Sequence, residues 1–312
     1  MKKRALEICK YKKLWFSISF FLISLSLVSI TGSVLKFKAP LKLGLDFIGG
    51  TQIVYEFKLP KNKSIKTEKI KELISKQGPD KDFRVQISRS SEKFLVILKL
   101  KVFEPEKRKN FEDSLEKEYG SFQVISADTI SSIIGPEILS SGLTSIFVTL
   151  LGILLFVSFR FKKEFAFAGI IALIHDVFLV IGLFSFLGLF FNLEINTLFL
   201  TACLTVFGFS IHDTIVIFDR IRENMKYLSK KRDFEQIIDL SISQTWFRSL
   251  CTSLTTLFVL FCLLVFGGDS TKIFAGAMFI GILAGTYSSI FLASNLLISF
   301  VGLEQTKKRK KF

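Results

Sequence analysis

The amino-acid sequence predicts a membrane protein: a six-helix α transmembrane bundle carrying an inserted α+β domain of ferredoxin-like (βαββαβ) order. Three observations lead there. Half of the 312 residues are hydrophobic and 36 are phenylalanine, more apolar surface than a soluble chain of this size readily hides. Six apolar runs reach the roughly 18–20 residues that ~30 Å of hydrocarbon demands. Between the first and second runs, residues 36–137 alternate strand-like and helix-like patterns.

The apolar runs are Leu14–Leu35, Ile138–Phe159, Phe165–Leu187, Ile195–Phe218, Ser249–Phe266 and Ile273–Val301. Charge placement orients them. The N-terminal arm Met1–Lys13, the Arg160–Glu164 turn, the Asp219–Arg248 segment and the tail from Glu304 together hold 21 Lys and Arg. The opposite turns, Gly188–Glu194 and Gly267–Lys272, hold only Lys272. By the positive-inside rule both termini and the basic turns face the cytoplasm. The net charge of +15 is therefore an orientation signal, and no nucleic-acid partner is expected. The first run is longer than the 7–15 residues of a signal-peptide core, so a retained anchor is expected over a cleaved signal. This divides the chain into an arm and first helix (1–35), an exported domain (36–137), five helices (138–303) and a basic tail (304–312).

Within the exported domain, "TQIVYEF" (Thr51–Phe57) alternates as a strand and "IKTEKIKELISKQ" (Ile65–Gln77) has helical period. "FRVQIS" and "KFLVILKL" follow as two strands around polar "RSSE". "PEKRKNFEDSLEKEY" (Pro105–Tyr119) is a helix opened by proline, and "FQVISAD" (Phe122–Asp128) a last strand. The order βαββαβ is that of a split, ferredoxin-like module, a scaffold that implies a binding surface and little chemistry.

The cysteines, Cys9, Cys203, Cys251 and Cys262, all lie outside the exported domain, so no disulfide framework is expected. No zinc-ligand spacing occurs. "GGDSTK" (Gly267–Lys272) lacks the G-x-x-x-x-G-K spacing of a phosphate loop and falls on the outer face. Neither a cofactor nor a nucleotide site is expected, so any energy used must come from elsewhere.

Both histidines precede aspartates inside apolar runs: His175–Asp176 in the third and His212–Asp213 in the fourth. An acid at that depth costs about 2.5–3.5 kcal/mol on the insertion scale, so it persists where it faces protein or water. For Asp176 a helix-packing hydrogen bond is an equal alternative. Asp213 has more opposite it. The fifth run opens with "QTWFRSLCTSLTTL", in which Thr245, Ser249, Thr252 and Thr256 recur at helical spacing as a ladder of hydroxyls. Arg248 lies beside that ladder, either snorkelling to the interface or reaching inward to the acid. Burial favours a neutral acid and a nearby guanidinium favours a carboxylate. Separating and re-forming an Asp213–Arg248 pair would then load and release a proton. His212 is a second titratable group beside the acid. Ala277, Gly281, Gly285, Ser289 and Ala293 place a small residue at every fourth position of the last run, for close packing within the chain or against a partner. Asp219 and Arg220 anchor the end of the fourth helix at the membrane edge. "FEQIIDLSISQTWF" (Phe234–Phe247) reads as an amphipathic helix along the cytoplasmic surface.

These residues carry a family resemblance. "LGLDFIGGTQIVYEF", "GFSIHDTIVIFDRIREN" and "QTWFRSLCTSLTTL" closely resemble SecF of the SecD/SecF family, within the RND superfamily of ion-driven transporters. The resemblance extends over the six-span plan and exported domain. It implies half of a twelve-helix RND-type core in the bacterial inner membrane, with a periplasmic domain and a six-helix SecD-like partner. It further implies work beside SecYEG and SecA, where the proton motive force helps draw a preprotein across the bilayer. Asp213 and Arg248 match the family's proposed proton-pathway positions. Asp46, Gly49 and Gly50 match the "DFIGG" signature shared with SecD, and Asp219 and Arg220 lie in the fourth-helix motif. Two departures stand out. His212 takes the place of the usual asparagine, which leaves proton or sodium coupling open, and "IIGPEILSSG" (Ile133–Gly142) keeps part of the usual glycine-proline signature. The expected function is an export subunit, not an enzyme. The rival readings are a passive assembly scaffold and half of an RND-type small-molecule or lipid exporter.

Overall fold

The structure is a computed structural model that describes residues 7–58, 65, 67–77, 83–90, 93–100, 105–130 and 134–309. The basic residues Lys2, Lys3 and Arg4, the turn residues Ser91 and Glu92 and the end of the tail lie outside them. The chain divides into two compact units: Met1–Lys42 with Gly142–Phe312, and Leu43–Ser141.

In chain order, α1 (Lys12–Phe37) is followed by the short α2 (Leu45–Ile48), then β1 (Gly50–Lys58), α3 (Thr67–Gln77), β2 (Phe83–Ser90) and β3 (Lys93–Leu100). Next come α4 (Pro105–Tyr119), β4 (Phe122–Ile130) and α5 (Ile134–Arg160). The remaining elements are α6 (Lys163–Phe191), α7 (Thr197–Leu228), α8 (Phe234–Phe266), α9 (Asp269–Tyr287), a π-helical turn (Ser288–Ala293) and α10 (Ser294–Arg309).

The second unit has the predicted βαββαβ order. Its four strands lie β2-β3-β1-β4, every neighbouring pair antiparallel. Alternation along β1 and β3 turns Ile53, Tyr55, Phe57, Val96 and Leu98 to one face, where Ile70 and Ile74 of α3 and Phe111 and Leu115 of α4 cover them. Tyr55 is wholly buried and donates to Glu112, which also accepts from Arg108 at 2.7 Å. Burial first, and the Glu112 charge second, push the Tyr55 phenol well above its ordinary value. A raised acid gives stability that is full below the unfolded tyrosine value of about 10 and declines as pH rises through it. Tyr55→Phe is accordingly expected to flatten alkaline destabilisation of this unit, read by near-ultraviolet circular dichroism against pH. An unchanged alkaline limb in the variant would remove the assignment.

The "DFIGG" signature forms the junction into β1. Gly49 and Gly50 have φ of 78° and 137°, a region a side chain rarely adopts. Close by, a Cβ on Gly135 would come within 2.6 Å of the Phe47 carbonyl oxygen. The two glycine-bearing signatures, 85 or so residues apart by the chain's numbering, thus meet within one unit.

Six helical segments of the described residues are long and apolar enough to cross a bilayer: Cys9–Phe37, Ile134–Arg160, Lys163–Phe191, Thr197–Leu228, Phe234–Phe266 and Thr271–Val301. The chain is a multi-pass membrane protein. Boundaries differ from the sequence expectation in several places, and α7 runs past the expected Phe218 to Leu228. The amphipathic stretch Phe234–Phe247 and the fifth span form one continuous helix, α8, because no glycine or proline interrupts its hydrogen-bond ladder. α5 begins at Ile134, earlier than the apolar run, since Pro136 falls in its first turn where no amide donor is lost. Turns are capped locally: Asn192 ends α6 in the left-handed region at φ 56°, and the Asn196 side chain accepts from the Phe199 amide to open α7.

α6, α7 and the last span form the interior of the first unit. Phe161, Phe165 and Phe218 stack edge to face there, with Ile217, Ile221, Ile238 and Ile242 around them. By contrast only 6% of the most apolar stretch of α5 is buried. The sequence foresaw helices but not this inequality, because apolar length alone does not say which spans the others surround. Cys9, Cys203, Cys251 and Cys262 are free.

Candidate functional site

The small-residue stripe of α9 decides how close α7 comes. A Cβ on Gly281 would collide with Val206, and one on Gly285 would lie 3.0 Å from Ser210 Cβ. Ala277, Ser289 and Ala293 are fully buried in the same seam. The stripe therefore packs inside the chain, against α7, and not only against a partner.

That close approach places Asp213 on the α7 face toward α8 and α9. It is 8% exposed. Ser253 of α8 donates to Asp213 Oδ2 at 3.4 Å, and Thr286 Oγ1 of α9 lies 2.7 Å from Ser253 Oγ. A cleft of about 470 Å³ opens here, lined by Asp213, exposed His212, Gly208, Ser210, Thr252 and Ile282 among others. No ion pair reaches Asp213 among the described residues.

The hydroxyl ladder expected on α8 is only partly the one that faces the acid. Thr252 and Thr256 bond back to their own helix, at Arg248 O and Thr252 O. Thr245 is buried and donates to Ser241 O, and the buried Ser249 hydroxyl has no hydrogen-bond partner among the described residues. The acid instead meets Ser253, four residues beyond Ser249, where the i+4 ridge of α8 points. Arg248 is exposed and forms no contact with Asp213 in this structure.

Asp176 lies fully buried on α6. Ser210 of α7 and Ser288 of the π turn each donate to its Oδ2 at 2.6 Å, and His175 Nδ1 sits 3.0 Å from Oδ1. The sequence signal for Ser210 and Ser288 was available: hydroxyls inside otherwise apolar spans. Which acid they served was not.

Asp219 and Arg220 lie within α7, which runs on to Leu228, so they do not end the fourth helix as expected but join an ionic lattice along it. Asp219 pairs with Arg160 of α5 at 3.4 Å and with Arg222 at 3.0 Å. Arg220 donates to Gln244 of α8 and to Glu223, both at 2.6 Å. Arg222 donates to the Arg160 carbonyl and lies over the Phe161 ring. Asp46 is half-buried in the first turn of α2 and belongs to the other unit.

A family model described as protein export membrane protein SecD/SecF, C-terminal, matches residues 110–302, and one described as the SecD/SecF GG motif matches residues 37–58. The chain belongs to the SecD/SecF family. The protein translocase subunit SecF of Sebaldella termitidis is 35% identical over 306 residues, covering 98% of this chain and 95% of the relative. That of Thermobaculum terrenum is 38% identical over 296 residues, covering 90% and 91%. Among solved structures, SecDF from Thermus thermophilus, described as a translocon-associated membrane protein, is similar with a TM-score of 0.79 at 32% identity. The alignment covers 96% of this chain but 39% of that one. This SecD/SecF family member thus spans nearly the whole length of the separate SecF subunits and about two fifths of the SecDF chain. The GG motif coincides with the two left-handed glycines, and the larger match encloses the Asp213 cleft.

Proposed function

We propose that the chain is an ion-driven accessory subunit of protein export, set in the bacterial inner membrane beside a six-helix SecD-like partner. The observation that carries this reading is Asp213: a carboxyl group inside the membrane span, nearly buried, lining a cleft and contacted by the Ser253 hydroxyl instead of a cation. A structural acid has no need of a cleft. A proton carrier does, because its proton must come and go. Arg248 is the charge partner of a second state. The open arrangement seen here takes up the proton, and closure of Arg248 onto Asp213 releases it.

The relatives named SecF and SecDF support the export role, and the single-chain SecDF supports a SecD-like partner. The little-buried α5 offers that partner an apolar face. The basic arm, turns and tail set both termini in the cytoplasm and residues 36–137 in the periplasm, where that domain engages a preprotein delivered through SecYEG after SecA has acted. The subunit uses the gradient and not a nucleotide.

The test is export into inverted vesicles holding the assembled complex, with proton and sodium gradients imposed separately. Stimulation by the proton gradient, abolished by a protonophore, is expected. Stimulation by sodium alone would reassign the ion, and stimulation by neither would remove the reading.

A further inference from the structure

Asp176 is the most deeply buried acid of the bundle, yet no lysine or arginine pairs with it among the described residues. Its partners are instead two serine hydroxyls and an imidazole. His175 is itself buried, and its second ring nitrogen, Nε2, has no hydrogen-bond partner among the described residues. Most buried polar groups find a partner, so an idle ring nitrogen beside a buried acid calls for an explanation.

Ser210 connects this pair to the cleft. Its hydroxyl donates to Asp176 Oδ2, and the same residue lines the Asp213 cleft. It stands three residues before Asp213, on the same side of α7. Beyond the pair, the His175 ring lies 6.3 Å from the Tyr287 ring, whose hydroxyl is 3.2 Å from Ser19 and donates to the Trp15 carbonyl on α1. The π turn begins directly after Tyr287 and supplies Ser288, and such turns recur at functional sites.

We propose that His175 and Asp176 form a second proton-exchange pair of the bundle, reached from the Asp213 cleft through the Ser210 hydroxyl. The proposal deepens the ion-driven reading and rests on it. Ser210 Oγ takes a proton from the cleft as it passes its own to Asp176 Oδ2, so one O–H bond forms on the carboxyl as one breaks on the serine. With imidazole neutral and Nδ1 protonated, the pair goes from a net charge of −1 to zero. The same proton placed on Nε2 gives an imidazolium–carboxylate pair of equal net charge. The titratable group facing the pair is Tyr287 from α9, and α7 presents the Ser210 hydroxyl; Asp213 and His212 lie in the cleft on the other side of Ser210. The π turn and α1 present serines.

The test uses the full chain assembled with its partner in proton-tight vesicles, measuring gradient-driven export between about pH 6 and 8. Thermal melting and co-purification of the partner check assembly of each variant. Asp176→Asn is expected to lower the gradient-driven increment on the order of tenfold, and His175→Gln to flatten its pH profile. Ser210→Ala, which keeps the acid and its Ser288 bond, is expected to lower it about threefold. An assembled Asp176→Asn complex with the wild-type increment and profile overturns the pair. Should that variant not assemble, Ser210→Ala decides, and a wild-type increment there overturns the proposal. If Asp213→Asn alone loses the increment, the ion-driven reading stands and the second pair falls. If Asp213→Asn keeps it as well, both fall.

Discussion

Asp213→Asn is expected to reduce gradient-driven export at least on the order of tenfold while leaving the assembled complex intact. Asparagine keeps the volume of the side chain and can still accept from Ser253, so the contacts among α7, α8 and α9 survive. What it loses is the ability to change charge. One elementary charge moved through 100 mV is worth about 2.3 kcal/mol, a population factor of about fifty between two conformations. A subunit that cannot bind the proton has no share of that bias, and its two states are then populated as if no gradient existed. Export in inverted vesicles, with and without protonophore, measures the increment directly. Undiminished stimulation in an assembled variant complex would sink the proposed role of Asp213.

Gly182→Ala is the second large effect, and it acts on assembly of the bundle. α1 and α6 touch so closely that a Cβ at this position would overlap the Ser26 side chain and come within 2.7 Å of Ser26 Cα. Backbone cannot rotate away as a side chain does, so one helix has to shift. The neighbouring contacts would shift with it: Ser185 Oγ donates to the Ser29 carbonyl at 2.9 Å, and Gly32 lies against Leu189. Overpacking of this kind costs typically about 1–3 kcal/mol, and here the upper end is expected because the obstacle is main chain. Gly152→Ala on α5 is the control, since a Cβ there meets nothing within 4 Å and removal of glycine favours the helix. Thermal melting of the isolated chain in detergent should show a large loss for the first and none for the second. Equal melting of the two variants would mean that the α1–α6 seam is not as tight as described.

Much of this architecture was legible beforehand for reasons that particular residues make plain. The period-two runs Thr51–Phe57 and Lys93–Leu100 could bury one face only as strands, and they pair residue for residue as β1 and β3. Proline at 105 opens α4 where its missing donor costs nothing. The small-residue stripe from Ala277 to Ala293 announced a close helix contact before any neighbour was known. The site was less legible. Asp213 stood out as an acid in an apolar run, but Ser253 and Thr286 lie 40 and 73 residues away in sequence and looked like any other hydroxyls. Arg248 lay on a plausible face of its helix, and that face is exposed here.

By itself the sequence determined which segments are long and apolar enough to cross a bilayer and in what order the second unit alternates strand and helix. Those properties follow from hydrophobic length and local period, each of which a short window contains. Only the tertiary structure decided that Ser210 touches one acid while lining the cleft of another, and that α1 locks onto α6 through Gly182. An all-round apolar helix has no preferred face in its own sequence, so its rotation is set by where a neighbour's small residues let it approach.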